Sequence, residues 1–252
     1  MLQKAARTFD LSQSRGAAGW DSRRIRKDAQ QIESIVAGLP LFHGLPRARL
    51  AAIARAARLL LVRRGGYVAR RGEPLAGLFA VGEGMINVAL RGSNGTERVL
   101  RFVGPGESFA EAAALLGRAS AIDAVALADS ALAVIAAPPL RALMARDAAL
   151  SLRMAALLAE RMLTLLAEIE ASELRPAAER LAAYLLALAR PGHGALTARL
   201  PATKTLVASR LGMKKETLSR LLHDLILRRL IAVSQREIVI LEPDALRAIA
   251  RP

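Results

Sequence analysis

The sequence predicts an α+β protein in three parts: an N-terminal jelly-roll β-domain, one long helix, and a C-terminal winged helix-turn-helix. Three observations predict it. Between Leu59 and Ile135, short apolar runs are broken by glycine turns at regular spacing, the pattern of a small all-β barrel or jelly roll. From about Ala148 to Glu173 the chain is helix-forming and apolar over most of its girth. Near the end, Pro201–Leu211 and Lys214–His223 read as two short helices joined at Gly212.

Taken in order, residues 1–35 are basic and polar, with Lys4, Arg7, Arg15, Arg23, Arg24, Arg26 and Lys27 among Ser, Gln and Gly. They read as a loose N-terminal arm, or as a helix around Ser22–Ile35 that adds to the next domain. Residues 36–137 form the β-domain. It opens with Leu39–Leu45 and a short helix whose spacing is Leu50, Ile53, Ala54, Ala57. Turn signals follow at Arg63–Gly66, Arg71–Pro74, Gly82–Gly84, Arg91–Gly95 and Gly104–Glu107. Asn94-Gly95 is the strongest hairpin signal of the set. Residues 138–174 are a linker and the long helix, with a short helix over Leu140–Met144. Leu150, Met154, Leu157, Leu158, Leu165 and Ile169 lie on its apolar surface. Such a helix needs two partners: one is the β-domain, and the second is either the same helix of another subunit or this chain's own interior. Arg175-Pro176 ends it. Residues 175–252 form the last domain: a helix over Ala177–Ala189, a loop at Pro191–Gly194, the helix pair, a hairpin of Leu230–Val233 with Glu237–Leu241, and a final helix from Pro243.

Composition bounds the function. The net charge of +15 points to a polyanionic partner. There is no Cys in 252 residues, which excludes disulfides, thiolate catalysis and a cysteine-held iron–sulfur cluster. No apolar run has the length of a membrane span and no secretory signal is present, so a cytoplasmic protein is expected. No phosphate-cradling Gly-x-x-x-x-Gly-Lys run and no metal-spaced His pair occurs, so no enzymatic activity is expected.

The second helix of the pair carries the functional signal. Glu216, Ser219, Arg220 and His223 recur three or four apart and share one face. Lys214 and Lys215 stand at its start, Thr203 and Lys204 near the start of the first helix, and Arg236 at the hairpin tip. A helix-turn-helix places the N-terminal half of its second helix in the major groove. Arg there grips guanine, Glu accepts from cytosine, and Lys, Thr and Arg take phosphates. The partner is then double-stranded DNA. Such a basic face also suits a non-specific architectural protein.

Glu216-Thr217-Leu218-Ser219-Arg220 resembles the recognition helix of the Crp/Fnr family of bacterial transcription regulators. Arg71–Pro74, Gly82–Gly84, Gly104–Glu107 and Phe109–Glu111 fall in the order of that family's cyclic-nucleotide-binding-like β-roll. The resemblance spans about residues 39–250. Glu followed by Ser and Arg is similar to the Fnr branch, and with Phe109–Ala112 and Leu200–Lys204 to its members without cluster cysteines, the dissimilatory nitrate respiration regulators. It implies a homodimer joined along the long helix and an inverted repeat like TTGAT-N4-ATCAA, read by Glu216, Ser219 and Arg220. It also implies RNA polymerase as a partner and an effector in the roll. Phe109, Ala110, Glu111, Arg118 and Ser120 are the candidate pocket. The nitrate-respiration likeness implies haem and nitric oxide, with His43 as the candidate axial ligand. Ala110 stands where a cyclic-nucleotide site has Gly, and no adjacent Arg-Ser pair follows, so a cyclic nucleotide fits less well. An effector-independent regulator is the remaining alternative.

Overall fold

A computed structural model describes residues 22–92, 95–192 and 195–250. The basic segment 1–21, Ser93 and Asn94 of the expected Asn-Gly turn, and His193 lie outside the described residues.

Of the two readings of residues 22–35, the helix holds. It is α1 (Ser22–Ala37), and Ile32, Ile35 and Val36 on one face are buried. They pack on the β-domain, so residues 22–35 join the roll and are not part of a separate arm. A 3-10 turn at Pro40–Phe42 and α2 (Arg47–Arg55) follow.

The roll is two antiparallel four-stranded sheets. One orders β1 (Ala57–Val62), β8 (Ser130–Ala136), β3 (Gly77–Glu83) and β6 (Ser108–Phe109). The other orders β2 (Tyr67–Ala69), β7 (Asp123–Ala126), β4 (Ile86–Arg91) and β5 (Glu97–Val103). Successive side chains of a strand point to opposite faces. In β3 and β8 both faces are buried: Phe79, Val81, Leu132 and Val134 fill the space between the sheets. Leu78, Ala80, Ala133 and Ile135 meet α1, α2 and the helices beyond the roll. Burying a side chain such as Leu or Phe contributes about 1.5–3 kcal/mol, so this doubly covered sheet is the stability centre of the roll. A single-turn helix, α3 (Glu111–Leu116), interrupts the strands; six residues are too few to show a helical period in sequence.

α4 (Ala137–Met144) starts on its two prolines, which suit a first helical turn. α5 (Ala148–Leu174) is capped by the Asp147 carboxylate, which accepts from the Leu150 N–H at 3.0 Å and also pairs with Arg49. The Leu150 N–H and then Arg49 hold the Asp147 carboxyl below the usual carboxylate range.

The long helix corrects part of the expected dimer surface. Leu150 and Met154 are fully covered by this chain's own core, and Leu157 and Leu158 pack against the same cluster. They lie on the roll-facing stripe and are not available to a second copy. Leu165 faces a cavity, and Ile169 is exposed. The large apolar side chains of α5 left in solvent are Leu152, Met162, Leu163, Leu165, Leu166, Ile169 and Leu174, so Leu165 and Ile169 of the expected surface remain exposed.

The last domain holds α6 (Ala177–Leu188), α7 (Lys204–Arg210), α8 (Lys215–Leu227) and α9 (Pro243–Ala250) around a small sheet. That sheet orders β11 (Ile231–Ser234), β12 (Glu237–Ile240), β10 (Leu196–Arg199) and β9 (Arg190–Pro191). The hairpin of β11 and β12 matches the wing expected from sequence; β10 pairs with β12 some 40 residues on and left no local signal. Among the described residues, no helix is long and apolar enough to cross a membrane.

Candidate nucleic-acid interface and sensor cavity

α7 begins later than its sequence suggests. Pro201 lies in a bend ahead of the helix, and Thr203 is the cap, its hydroxyl accepting from the Leu206 N–H at 3.5 Å. Gly212 makes the corner with φ +63°, a left-handed conformation that favours glycine. α8 then buries Leu218, Leu222 and Leu225 against the domain core. The opposite face carries Glu216, Ser219, Arg220 and His223, all exposed, with Lys214 and Lys215 exposed at its start. At 3.6 residues per turn these four fall within about 100° of arc, so one groove can meet them together. Thr217 is half-buried beside them and Lys204 half-buried on α7. Arg236 stands exposed at the wing tip after Gln235 at φ +54°, while its carbonyl accepts from the Leu200 N–H at 2.8 Å.

The roll and α5 enclose a cavity of about 500 Å3. Its walls are apolar at Leu39, Leu41, Val88, Leu100 and Leu157, and polar at Arg101, Glu107, Arg161 and Thr164. Arg101 donates to Glu107 at 3.1 Å. Burial first, and then the neighbouring Arg161, lower the pKa of the Arg101 guanidinium.

The expected effector residues do not gather there. Phe109 is a core ring, stacked on Phe79 at 5.0 Å between centroids. Ala110 has φ +67°, a conformation that costs a non-glycine residue about 1–2 kcal/mol. Arg118 is exposed and absent from the cavity wall. The Ser120 hydroxyl is buried in its own turn, donating to the Ile122 carbonyl at 2.7 Å. Glu111 is the exception in kind. It is 2% exposed and pairs with Arg161 of α5, which also donates to the Ser108 carbonyl at 2.7 Å. The second Glu111 carboxylate oxygen has no partner among the described residues.

Sequence reading missed Arg161, Arg101 and Glu107. The signal for Arg161 was present: it falls on the buried stripe of Met154 and Leu157, where a charge demands a partner. His43 is exposed beside the 3-10 turn and does not line the cavity. Haem iron takes His, Met, Cys or Tyr, and among the described residues none of these lines it. The donor set therefore does not fit a haem at this position.

Known proteins share both halves of this architecture. Residues 59–147 match the model of the cyclic nucleotide-binding domain, and residues 179–249 that of the Crp-like helix-turn-helix domain. The chain belongs to the Crp/Fnr family of transcription regulators. A cyclic AMP receptor protein of Thermus thermophilus is 29% identical over 213 residues, covering 84% of this chain and 97% of its own. A CRP-family transcriptional regulator of known structure, also from Thermus thermophilus, is 25% identical, with a TM-score of 0.61 over 76% of this chain and 96% of its own. FixK2 of Bradyrhizobium japonicum, at 21% identity and a TM-score of 0.70, covers 78% of this chain and 98% of its own and shares the fold.

Proposed function

We propose that this chain binds DNA sequence-specifically as a homodimer, reading an inverted repeat with half-sites like TTGAT and so controlling access of RNA polymerase. The observation that carries the reading is the single exposed face of α8, where Glu216, Ser219 and Arg220 stand clear of the domain with Lys214 and Lys215 at their edge. Arg220 and Glu216 recognise a guanine and a cytosine edge; the lysines, Thr203 and Arg236 hold phosphates. The second subunit docks on the exposed apolar stripe of α5, Met162, Leu163, Leu166 and Ile169. These residues lie on the side of the helix away from the roll, as a two-fold helix pair requires.

The Arg161–Glu111 pair favours effector-independent binding over the cyclic-nucleotide and haem readings. It already ties α3 and β6 to α5, the connection a bound effector would otherwise supply. The test is footprinting with sedimentation, without added small molecules. Protection of two half-sites about one helical turn apart by a dimer supports the reading. Protection that needs cyclic AMP would restore the cyclic-nucleotide alternative, and uniform coverage of any sequence would favour an architectural protein.

A further inference from the structure

Where the roll, the long helix and the DNA-binding domain meet, a second cavity of about 420 Å3 is lined by four arginines. Arg98 comes from β5, Arg180 from α6, Arg210 from α7, and Arg175 follows the end of α5. One carboxylate, Glu168, shares the wall, and it pairs with Arg210. Arg175 reaches Glu170 at 4.0 Å. Arg180 is occupied by main chain, donating to the Leu211 carbonyl at 3.0 Å and the Gly212 carbonyl at 3.4 Å. Arg98 is different. Among the described residues its guanidinium has no hydrogen bond and no ion pair, and it lies over Gly212, 2.2 Å from where a Cβ would stand. Its charged form is disfavoured by burial first and then by Arg210, with Glu168 opposing, Arg180 adding to the effect and Glu173 opposing it again. Four arginines line the wall against Glu168 there and Glu170 and Glu173 nearby, which leaves an excess of positive charge.

The rest of the wall is of another kind. Ala167 and Ala171 of α5 face Ala183 and Ala187 of α6, beside the ring of Tyr184. Burial pushes the Tyr184 phenol up to about 12, so it stays a neutral donor. At 100° per residue, Thr164, Glu168 and Ala171 lie on the side of α5 away from Met162, Leu163, Leu166 and Ile169. A second copy docked on that stripe leaves this cavity open.

We propose that this seam binds a phosphate group as its dianion. The group presents three oxygens and close to two charges at neutral pH, which suits guanidiniums arriving from different elements. A carboxylate offers one charge and matches a single fork, and a cyclic phosphodiester also carries one charge. Free phosphate and a phosphomonoester share this chemistry. The alanine and tyrosine wall favours an ester with a planar apolar body, because free phosphate leaves that wall uncovered. Once seated, the group joins Arg98 of the roll to Arg180 and Arg210 of the DNA-binding domain and fixes their relative orientation. The site adjoins the roll cavity, sharing Thr164 and Glu168 of α5 with it, but its test involves no DNA, so it stands or falls apart from the base-reading proposal.

The experiment is calorimetric titration of the full chain with phenyl phosphate and with inorganic phosphate, at constant ionic strength. Arg98→Ala is compared with Arg58→Ala, an exposed arginine of β1 remote from the seam. The expected result is binding that weakens about tenfold or more in Arg98→Ala, is partly kept in Arg98→Lys, and is unchanged in Arg58→Ala. Thermal melting of Arg98→Ala without additive should match the parent, because an unpaired and repelled cation has been removed; the rise in melting temperature with phenyl phosphate should disappear. A larger response to phenyl phosphate assigns the site to an ester. An equal response to both, still dependent on Arg98, upholds the phosphate site and assigns it to the free ion. No binding by either probe, or equal loss in Arg58→Ala and Arg98→Ala, overturns the proposal.

Discussion

Arg161→Met is the most informative single change in the roll. It removes the partner of Glu111, a carboxylate 2% exposed whose other oxygen has no partner among the described residues. Removing one member of a buried ion pair costs about 3–5 kcal/mol, because the remaining charge keeps its desolvation penalty. Arg161 is itself 23% exposed, so water reaches the site in part and the lower end applies, about 3 kcal/mol. Replacing both partners by apolar residues of similar size is close to neutral in such pairs. Arg161→Met with Glu111→Met should therefore recover most of the loss. The assay is hydrogen exchange of the β3 and β8 amides across a urea series, which reads the roll separately from the DNA-binding domain. If Arg161→Met lies within about 1 kcal/mol of the parent, or the double variant is no better than the single, the pair does not hold α3 to α5.

Three further outcomes follow from particular contacts. Ser209→Ala removes the hydroxyl that donates to the Glu97 carbonyl at 2.5 Å and accepts from the Val99 N–H at 3.0 Å, where α7 covers the edge strand β5. It should loosen the seam by about 1–3 kcal/mol, seen as faster exchange of the Val99 amide. The Asp147 carboxyl is held low, so its stabilisation is complete above its unfolded value of about 3.9 and is lost as pH falls below that. Asp147→Asn should flatten the acid limb of the stability curve and leave its slope near pH 7 unchanged. Ile169→Glu places a charge on the exposed stripe of α5 and should weaken self-association about tenfold or more, measured by sedimentation over a dilution series.

The architecture was legible where one face or one period dominates. β3 and β8 read as continuous apolar runs because both of their faces are buried, and α8 showed two faces of opposite character. The long helix was legible in extent but not in its partners. Periodicity says that Leu150 and Met154 are buried, not which chain buries them. The cavity was legible least. Glu111 was found as part of a motif, but its partner Arg161 comes from 50 residues away, and the Ser209 contact with β5 spans more than 100. Arg118 and Ser120 were chosen by register alone, and a one-turn helix at Glu111–Leu116 carries Arg118 outward.

The central claim is that one face of α8 reads bases. Its direct test is binding-site selection with the parent and with Arg220→Ala, each measured at a stated salt concentration. The account predicts that the parent enriches an inverted repeat. It predicts that Arg220→Ala loses about 1–3 kcal/mol at one position of each half-site while the other positions keep their preference. An equal loss on every sequence, or no enrichment by the parent, would contradict it.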